Sequence, residues 1–266
     1  MIRQNGYAPP DKKGAAELLY AMLQHIGDTD AYIRDDLIYS TFCEWICEKD
    51  IFETKTIRDA LTVLMDDKHL FFKIGSVGDT SVFTRSFSML AIVQILCLNR
   101  KKNLLDTNQF EQTKAGLLRY LIAEKDFRGY TAVYGWAHAA AHGADVLEEL
   151  ARHKDCNECD VEAMLACMQK IFCNGRYLLS HEEDERMASA AVLLFKRNPA
   201  IASQVAAWIE GLPCFYDVPA FPQKYIARVN TKNFVRSVYF RCLHAGEAVE
   251  LQKALLNVEK RLNRFA

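Results

Sequence analysis

The residues best suited to chemistry lie in "GYTAVYGWAHAAAHGADVLEEL", Gly129 to Leu150, where His138, His142 and Asp145 stand four and then three residues apart. On a helix, where each residue turns about 100°, the three fall within a sector of about 60° and form one stripe. Histidines at i and i+4 can converge on a metal ion, as in the H-E-x-x-H proteases, because both imidazoles reach a point about one turn wide. Here the residue after His138 is Ala139, so the general base of that protease motif is missing.

Three uses of the stripe follow. The imidazoles could be neutral packing groups, hydrogen-bonded to carboxylates of a neighbouring hairpin. They could hold a divalent metal through His138, His142 and Asp145, completed by Glu183 or Asp184. Without a metal, they could form an acid/base or binding pocket for an organic anion or a peptide, with Arg128 and Arg186 as anchors.

Helices must position these groups, because helical periodicity dominates the chain. "RDDLIYSTFCEWI" places Ile38, Phe42, Trp45 and Ile46 on one face, and "FEQTKAGLLRYLIAEKD" does the same with Phe110, Leu117, Leu118 and Leu121. "SHEEDERMASAAVLLF" opens with Ser180 and Glu183 in the spacing of a capping box. The pattern predicts helices at 14–26, 31–48, 55–66, 82–98, 107–124, 128–152, 160–177, 182–196, 199–210, 231–244 and 247–263. The segment 70–83 reads as a loop with at most a short hairpin, and the proline-rich 211–225 as a long ordered connection.

An arginine recurs near the start of the second helix of most pairs: Arg34, Arg85, Arg128, Arg186 and Arg236, at intervals of 51, 43, 58 and 50 residues. That loose period is close to the ~40–50 of helical-hairpin solenoids. A cation there opposes the helix dipole, so each arginine is expected to have a carboxylate partner in the adjacent repeat. Asp35, Asp36, Asp79, Glu124, Asp126, Glu183 and Asp184 are the candidates.

Composition excludes other classes. Of 266 residues, 33 are Lys or Arg and 34 Asp or Glu, with no basic run interleaved with aromatics, so nucleic acid is not an expected partner. The N-terminus lacks the apolar core of a secretory signal, and the longest apolar stretch, 86–99, is shorter than the ~20 residues that span a bilayer. A cytoplasmic protein without a membrane partner is expected. Nine cysteines, an odd number scattered through helices, fit reduced thiols better than a disulfide framework. The one CxxC, Cys156 and Cys159, has no second pair to complete a zinc knuckle and reads as an interhelical loop.

The segment "EKDFRGYTAVYGWAHAAAHGADVLEEL" resembles the signature of a bacterial family of unknown function, domain family 2785, with E-x-D-x-R-G-Y followed by G-W-x-H-x-x-A-H-x-A-D. The matching positions are Glu124, Asp126, Arg128, Gly129, Tyr130, Gly135, Trp136, His138, His142 and Asp145. Weaker likeness extends through "IRDDLIYSTFCEWI", "DTSVFTRSFSML", "SHEEDERMASAAVLL" and "NFVRSVYFRCL", from about residue 14 to 262. The resemblance implies no activity. It does imply a motif rich in groups that are costly to desolvate, which favours a polar pocket over packing alone.

The expected architecture is all-α: a right-handed α-α superhelix of about five helical hairpins, a HEAT/armadillo-like solenoid, with 1–13 as an N-terminal extension and 14–266 as a single repeat domain. The expected function is binding of a peptide or protein segment, or a small polar molecule, in a concave groove. Its lining would be Arg85, Asp126, Arg128, Trp136, His138, His142, Asp145, Glu183 and Arg186. No cofactor is required. The alternative is a metal-dependent hydrolase that holds a divalent ion through His138, His142 and Asp145.

Overall fold

The computed structural model describes residues 3–212 and 221–265. Among the described residues it holds eleven α-helices and one two-stranded hairpin, so the protein is all-α. The chain divides into two compact units, Met1–Val146 and Leu147–Ala266.

The first unit runs through α1 (Lys12–Gln24), α2 (Ser40–Cys43), α3 (Thr54–Leu64), α4 (Ser81–Lys102) and α5 (Thr107–Ala123) to the hairpin β1 (Tyr130–Thr131) and β2 (Gly135–Trp136). Two of its helix starts are marked by side chains that satisfy open N–H groups: Asp11 accepts from Gly14 N–H at α1, and Asp106 and Gln109 form a reciprocal capping box at α5. The apolar face of 31–48 forms as expected, with Phe42, Trp45 and Ile46 fully buried. The helix carrying it is unusual, since α2 is flanked by π-helical turns at Tyr32–Tyr39 and Glu44–Glu48. Residues 3–13 are tied to this run: the Trp45 indole N–H donates to Tyr7 O at 2.9 Å and Lys49 Nζ to Gly6 O at 2.6 Å.

Helix α4 is apolar nearly all round and is buried on most of its circumference, which is the signature of a core helix. It is longer than its apolar run of 86–99 foretells. By length and composition it could cross a membrane, but 83% of that apolar window is buried within the protein.

The second unit holds α7 (Glu158–Phe172), α8 (Glu183–Phe195), α9 (Pro199–Gly211), α10 (Gln223–Ala245) and α11 (Val249–Leu262). Phe172 stacks on Phe234 at 4.3 Å in its core. The buried Asn230 amide accepts from Leu179 N–H and donates to the carbonyls of Phe172 and Tyr177, so one side chain organises the turn before α8. Arg197 donates to the carbonyls of Ala151, His153, Lys154 and Cys156 and so ties down the turn ahead of α7; Cys156 lies in that turn and Cys159 in the first turn of α7 itself.

Three sequence expectations are corrected. Helix α6 (Ala139–Arg152) begins eleven residues later than the predicted 128, because the hairpin precedes it. Helix α10 begins at Gln223 and not at 231, since Pro222 occupies its N-cap, where a missing N–H costs nothing. At α8 the N-cap is Glu182, in the left-handed region at φ 63°, and no Ser180–Glu183 capping box forms; the Glu183 carboxylate accepts His181 N–H at 2.7 Å. Most of the predicted connection 211–225 lies outside the described residues.

Candidate functional site

The motif segment is built around a turn, not along one helix. Gly129 and Gly135 are poor helix formers and Thr131 and Val133 are β-branched, so the segment takes a hairpin in which Tyr130 pairs with Trp136 and Thr131 with Gly135. The ladder continues through Ala137 N–H to Gly129 O and His138 N–H to Arg128 O, both at 3.0 Å. Thr131 Oγ1 donates to Gly135 O and accepts Tyr134 N–H, which closes the tip. Gly135 has φ 72°, and a Cβ there would press on Ala31 Cβ and Arg34 Nη2, so glycine is required on two counts.

Arg34 holds this hairpin against the helical run of α2. Its buried guanidinium donates from Nη2 to Tyr134 O at 2.8 Å, from Nη1 to Asp28 O and from Nε to Asp35 Oδ1, while lying over the rings of Phe83 and Phe87 at 4.5 and 4.8 Å. Burial pushes the Asp35 carboxyl up, against the opposing pull of Arg34.

His138 sits between the hairpin and α6 with φ 49°, a left-handed conformation that costs a residue with a Cβ about 1–2 kcal/mol. Its carbonyl accepts His142 N–H at 2.9 Å, so it acts as the helix's first turn, and its ring lies flat on Trp136 at 4.0 Å. Tyr130 meets Trp136 edge to face at 4.9 Å. His142 is 6% exposed, with Nδ1 3.1 Å from Ser86 O. A carbonyl only accepts, so Nδ1 carries the proton in the neutral ring and Nε2 carries the lone pair. The Phe87 edge packs on His142 at 5.3 Å. Asp145 follows on the same face of α6, half-buried, and its charge acts on the Tyr39 hydroxyl. Burial first, then Cys43 and Asp145, push that hydroxyl well above its ordinary pKa, so Tyr39 stays protonated while it accepts from Gln94 Nε2 at 3.0 Å.

The chain's likeness to other proteins bears on these residues. Residues 70–240 match the family described as Protein of unknown function (DUF2785). The chain belongs to this family. No curated protein and no solved structure matches it significantly. The DUF2785 match spans α4, α5, the hairpin and α6, so the strained His138, Trp136 and His142 lie within the matched region, whereas Arg34 and Tyr39 lie before it.

In this DUF2785 chain the predicted site residues separate into groups. Trp136, His138 and His142 come together, and Asp145 lies one turn after His142 on α6, where its charge acts on Tyr39. Arg85 is fully buried, and its donors go to Glu124 Oε2 and Oε1 at 2.7 and 2.9 Å, Ser81 Oγ, and the carbonyls of Phe72, Lys73 and Ser76. It organises the interior and lines no groove. Arg128 binds Asp126 at 2.7 Å and the carbonyls of Gly78 and Asp79, and buried Asp126 also accepts Gly78 N–H. That pair clamps the loop before the hairpin to the loop before α4. Glu183 and Arg186 belong to the second unit, with Glu183 buried and Arg186 exposed on α8.

Ion pairs form for Arg34 with Asp35, Arg85 with Glu124, Arg128 with Asp126 and Arg236 with Glu259, but Asp35 and Asp126 are near neighbours in sequence and not partners from an adjacent repeat, and Arg128 and Arg236 do not stand at helix starts. The expected metal ligands are not assembled: among the described residues no group of three or more His, Cys, Asp and Glu side chains could hold an ion. The reason is geometric. One imidazole is turned onto Trp136, the other is committed to Ser86 O, and the two rings meet edge to face at 5.9 Å.

Tyr39, Ser86, Phe87 and Gln94 were not legible as site residues. Tyr39 lies off the apolar face used to find its helix, and Ser86 contributes only a backbone carbonyl.

Proposed function

We propose that this protein is a binding protein whose first unit takes a peptide segment or small polar molecule bearing a protonated amine or guanidinium at the face formed by Tyr130, Trp136, His138 and Asp145. The observation that carries the reading is the left-handed backbone of His138 with its ring stacked on Trp136. Backbone strain of this kind persists where a side chain must be aimed, and it concentrates at functional sites. Tyr130, 56% exposed and perpendicular to Trp136, makes an aromatic corner, the kind of surface that attracts a cation through the ring faces. Asp145 adds the negative charge. The neighbouring arginines favour this sign of ligand, because their charges are spent on Glu124, Asp126 and Asp35 and do not recruit an anion.

The helix pairs and the spacing of their arginines support a helical-repeat, HEAT-like reading of the chain as part of the same proposal. The test is calorimetric titration with spermidine and with lysine- and arginine-containing dipeptides, against glutamate and acetate as anionic controls. Binding of the cations, weakened roughly tenfold or more by Trp136→Ala and by Asp145→Asn, is expected. Preference for the anions, or cation binding indifferent to both substitutions, overturns the reading.

A further inference from the structure

The π-helical turn Glu44–Glu48 meets α4 through a thiol. Cys47 Sγ donates to the Gln94 side-chain Oε1 at 3.1 Å and lies 3.7 Å from the Gln94 backbone carbonyl oxygen. In an α-helix that carbonyl points along the axis toward the residues three and four places on, and residues three apart share a face. Cys47 therefore sits against the patch of α4 that Cys97 occupies. Cys97 is also the neighbouring ionisable group that acts most on it, ahead of Cys43 one turn earlier in its own helical run. All three thiols are half-buried and none is in a disulfide. The turn that carries Cys47 adds an independent sign, because π-helical turns are rare and recur at functional sites.

The two sulfurs have unequal surroundings. Arg100, exposed to solvent, donates from Nη2 to Cys97 Sγ at 3.7 Å, and Lys101 and Lys102 follow in the last turn of α4. A guanidinium on a sulfur favours the charged, nucleophilic form, which is the form that attacks a peroxide. Cys47 differs. Burial first, then Cys97 and Cys43, push its thiol up to about 12 against a downward pull from Lys101, so it stays protonated. A thiol at the solvent edge beside a guanidinium, with a protonated thiol behind it, is the arrangement of an attacking and a resolving cysteine.

We propose that Cys97 and Cys47 are a peroxide-reducing pair that closes to a disulfide between α4 and the turn Glu44–Glu48. The Cys97 sulfur attacks one oxygen of a hydroperoxide: an S–O bond forms, the O–O bond breaks, and the departing oxygen takes the proton that the thiol gave up and leaves as an alcohol or as water. Cys97 is thereby oxidised to a sulfenic acid and the hydroperoxide is reduced. The Cys47 sulfur then attacks the Cys97 sulfur, an S–S bond forms, the S–O bond breaks, and the hydroxyl leaves as water with the proton of Cys47. The firm hold of Cys47 on that proton makes the second step the slow one, so the sulfenic acid accumulates. Neither thiol is part of the His138 face, and the proposal stands without that reading.

The test adds one equivalent of hydrogen peroxide to the fully reduced full chain. Products are read by peptide mass spectrometry under non-reducing conditions and by dimedone, which traps sulfenic acids. Two of the nine thiols are expected to disappear, with the Cys47 peptide linked to the Cys97 peptide. Early time points should show dimedone on Cys97, and Cys47→Ser should leave that adduct as the end product with the rate of the first step unchanged. Arg100→Ala, a change at an exposed position that keeps both thiols, should slow oxidation of Cys97 roughly tenfold or more. The exposed Cys159 is the internal control, since accessibility alone would oxidise it first. The proposal is overturned if Cys159 reacts as fast as Cys97, if Arg100→Ala leaves the rate unchanged, or if the oxidised chain links any other pair, Cys43 with Cys47 included. A sulfenic acid on Cys97 that never closes onto Cys47 overturns the pairing.

Discussion

The guanidinium of Arg85 and the carboxylate of Glu124 meet through two hydrogen bonds, at 2.7 and 2.9 Å, with both side chains fully buried and 39 residues apart in sequence. Glu124 also accepts the Tyr120 hydroxyl and the N–H groups of Lys125 and Asp126, so its two oxygens coordinate the end of α5 and the loop that leads to the hairpin. Removing one partner leaves a buried charge without compensation, at a cost of about 3–5 kcal/mol. Glu124→Gln is therefore expected to lower the unfolding free energy by that amount, read as a lower urea midpoint with an unchanged m-value. A joint Arg85→Met, Glu124→Leu variant should cost less than the sum of the single changes.

The two histidines should respond unequally. His138→Gly relieves about 1–2 kcal/mol of left-handed strain and loses a ring stack of about 0.5–1.5 kcal/mol, so stability should change little. His142→Ala empties a buried site and gives up the Nδ1 contact to the Ser86 carbonyl, at about 2–4 kcal/mol. Melting curves of both variants check this. A large loss for His138→Gly would mean that its ring is a structural pillar and would remove the strain argument for the binding face.

Gly27 packs against α4 so closely that an added Cβ would overlap Oγ1, Cα and N of Thr84. Two of those atoms belong to a core helix backbone and cannot swing aside. Gly27→Ala is expected to cost at least about 3 kcal/mol, whereas Gly211→Ala, where a Cβ meets nothing, should be neutral or slightly stabilising. Denaturant titration of the pair is the check.

An alkaline limb in stability is expected. Burial pushes the Cys167 thiol to about 12 and, helped by Cys97 and Cys43, the Cys47 thiol to about 12 from an ordinary value of 9.0. Below the unfolded value both states hold these protons and stability is complete. Above it the unfolded chain loses protons that the native thiols keep, so stability falls as pH rises from 9 toward 12. Melting temperatures across that window should decline less steeply in a Cys47→Ala, Cys167→Ala variant than in the parent.

The sequence by itself determined the class of the fold and most of its helices, because an apolar residue every third or fourth position has no lower-energy use than burying one helical face; α3, α5, α8, α9 and α11 begin and end within a few residues of the periodicity that predicts them. It also marked arginines that take carboxylate partners, although Arg128 and Arg236 do not stand at helix starts as the pattern suggested. What only the tertiary structure decided is the path of residues 128–138 and the fate of the arginines. Alanine-rich flanks made that stretch look helical, and its glycines and β-branched residues were the contrary local signal. The choice fell to Arg34, a hundred residues away, whose guanidinium takes the Tyr134 carbonyl that an unbroken helix would have kept for itself. Local propensity is worth a few tenths of a kcal/mol per residue, and a buried charge finding its last acceptor is worth more.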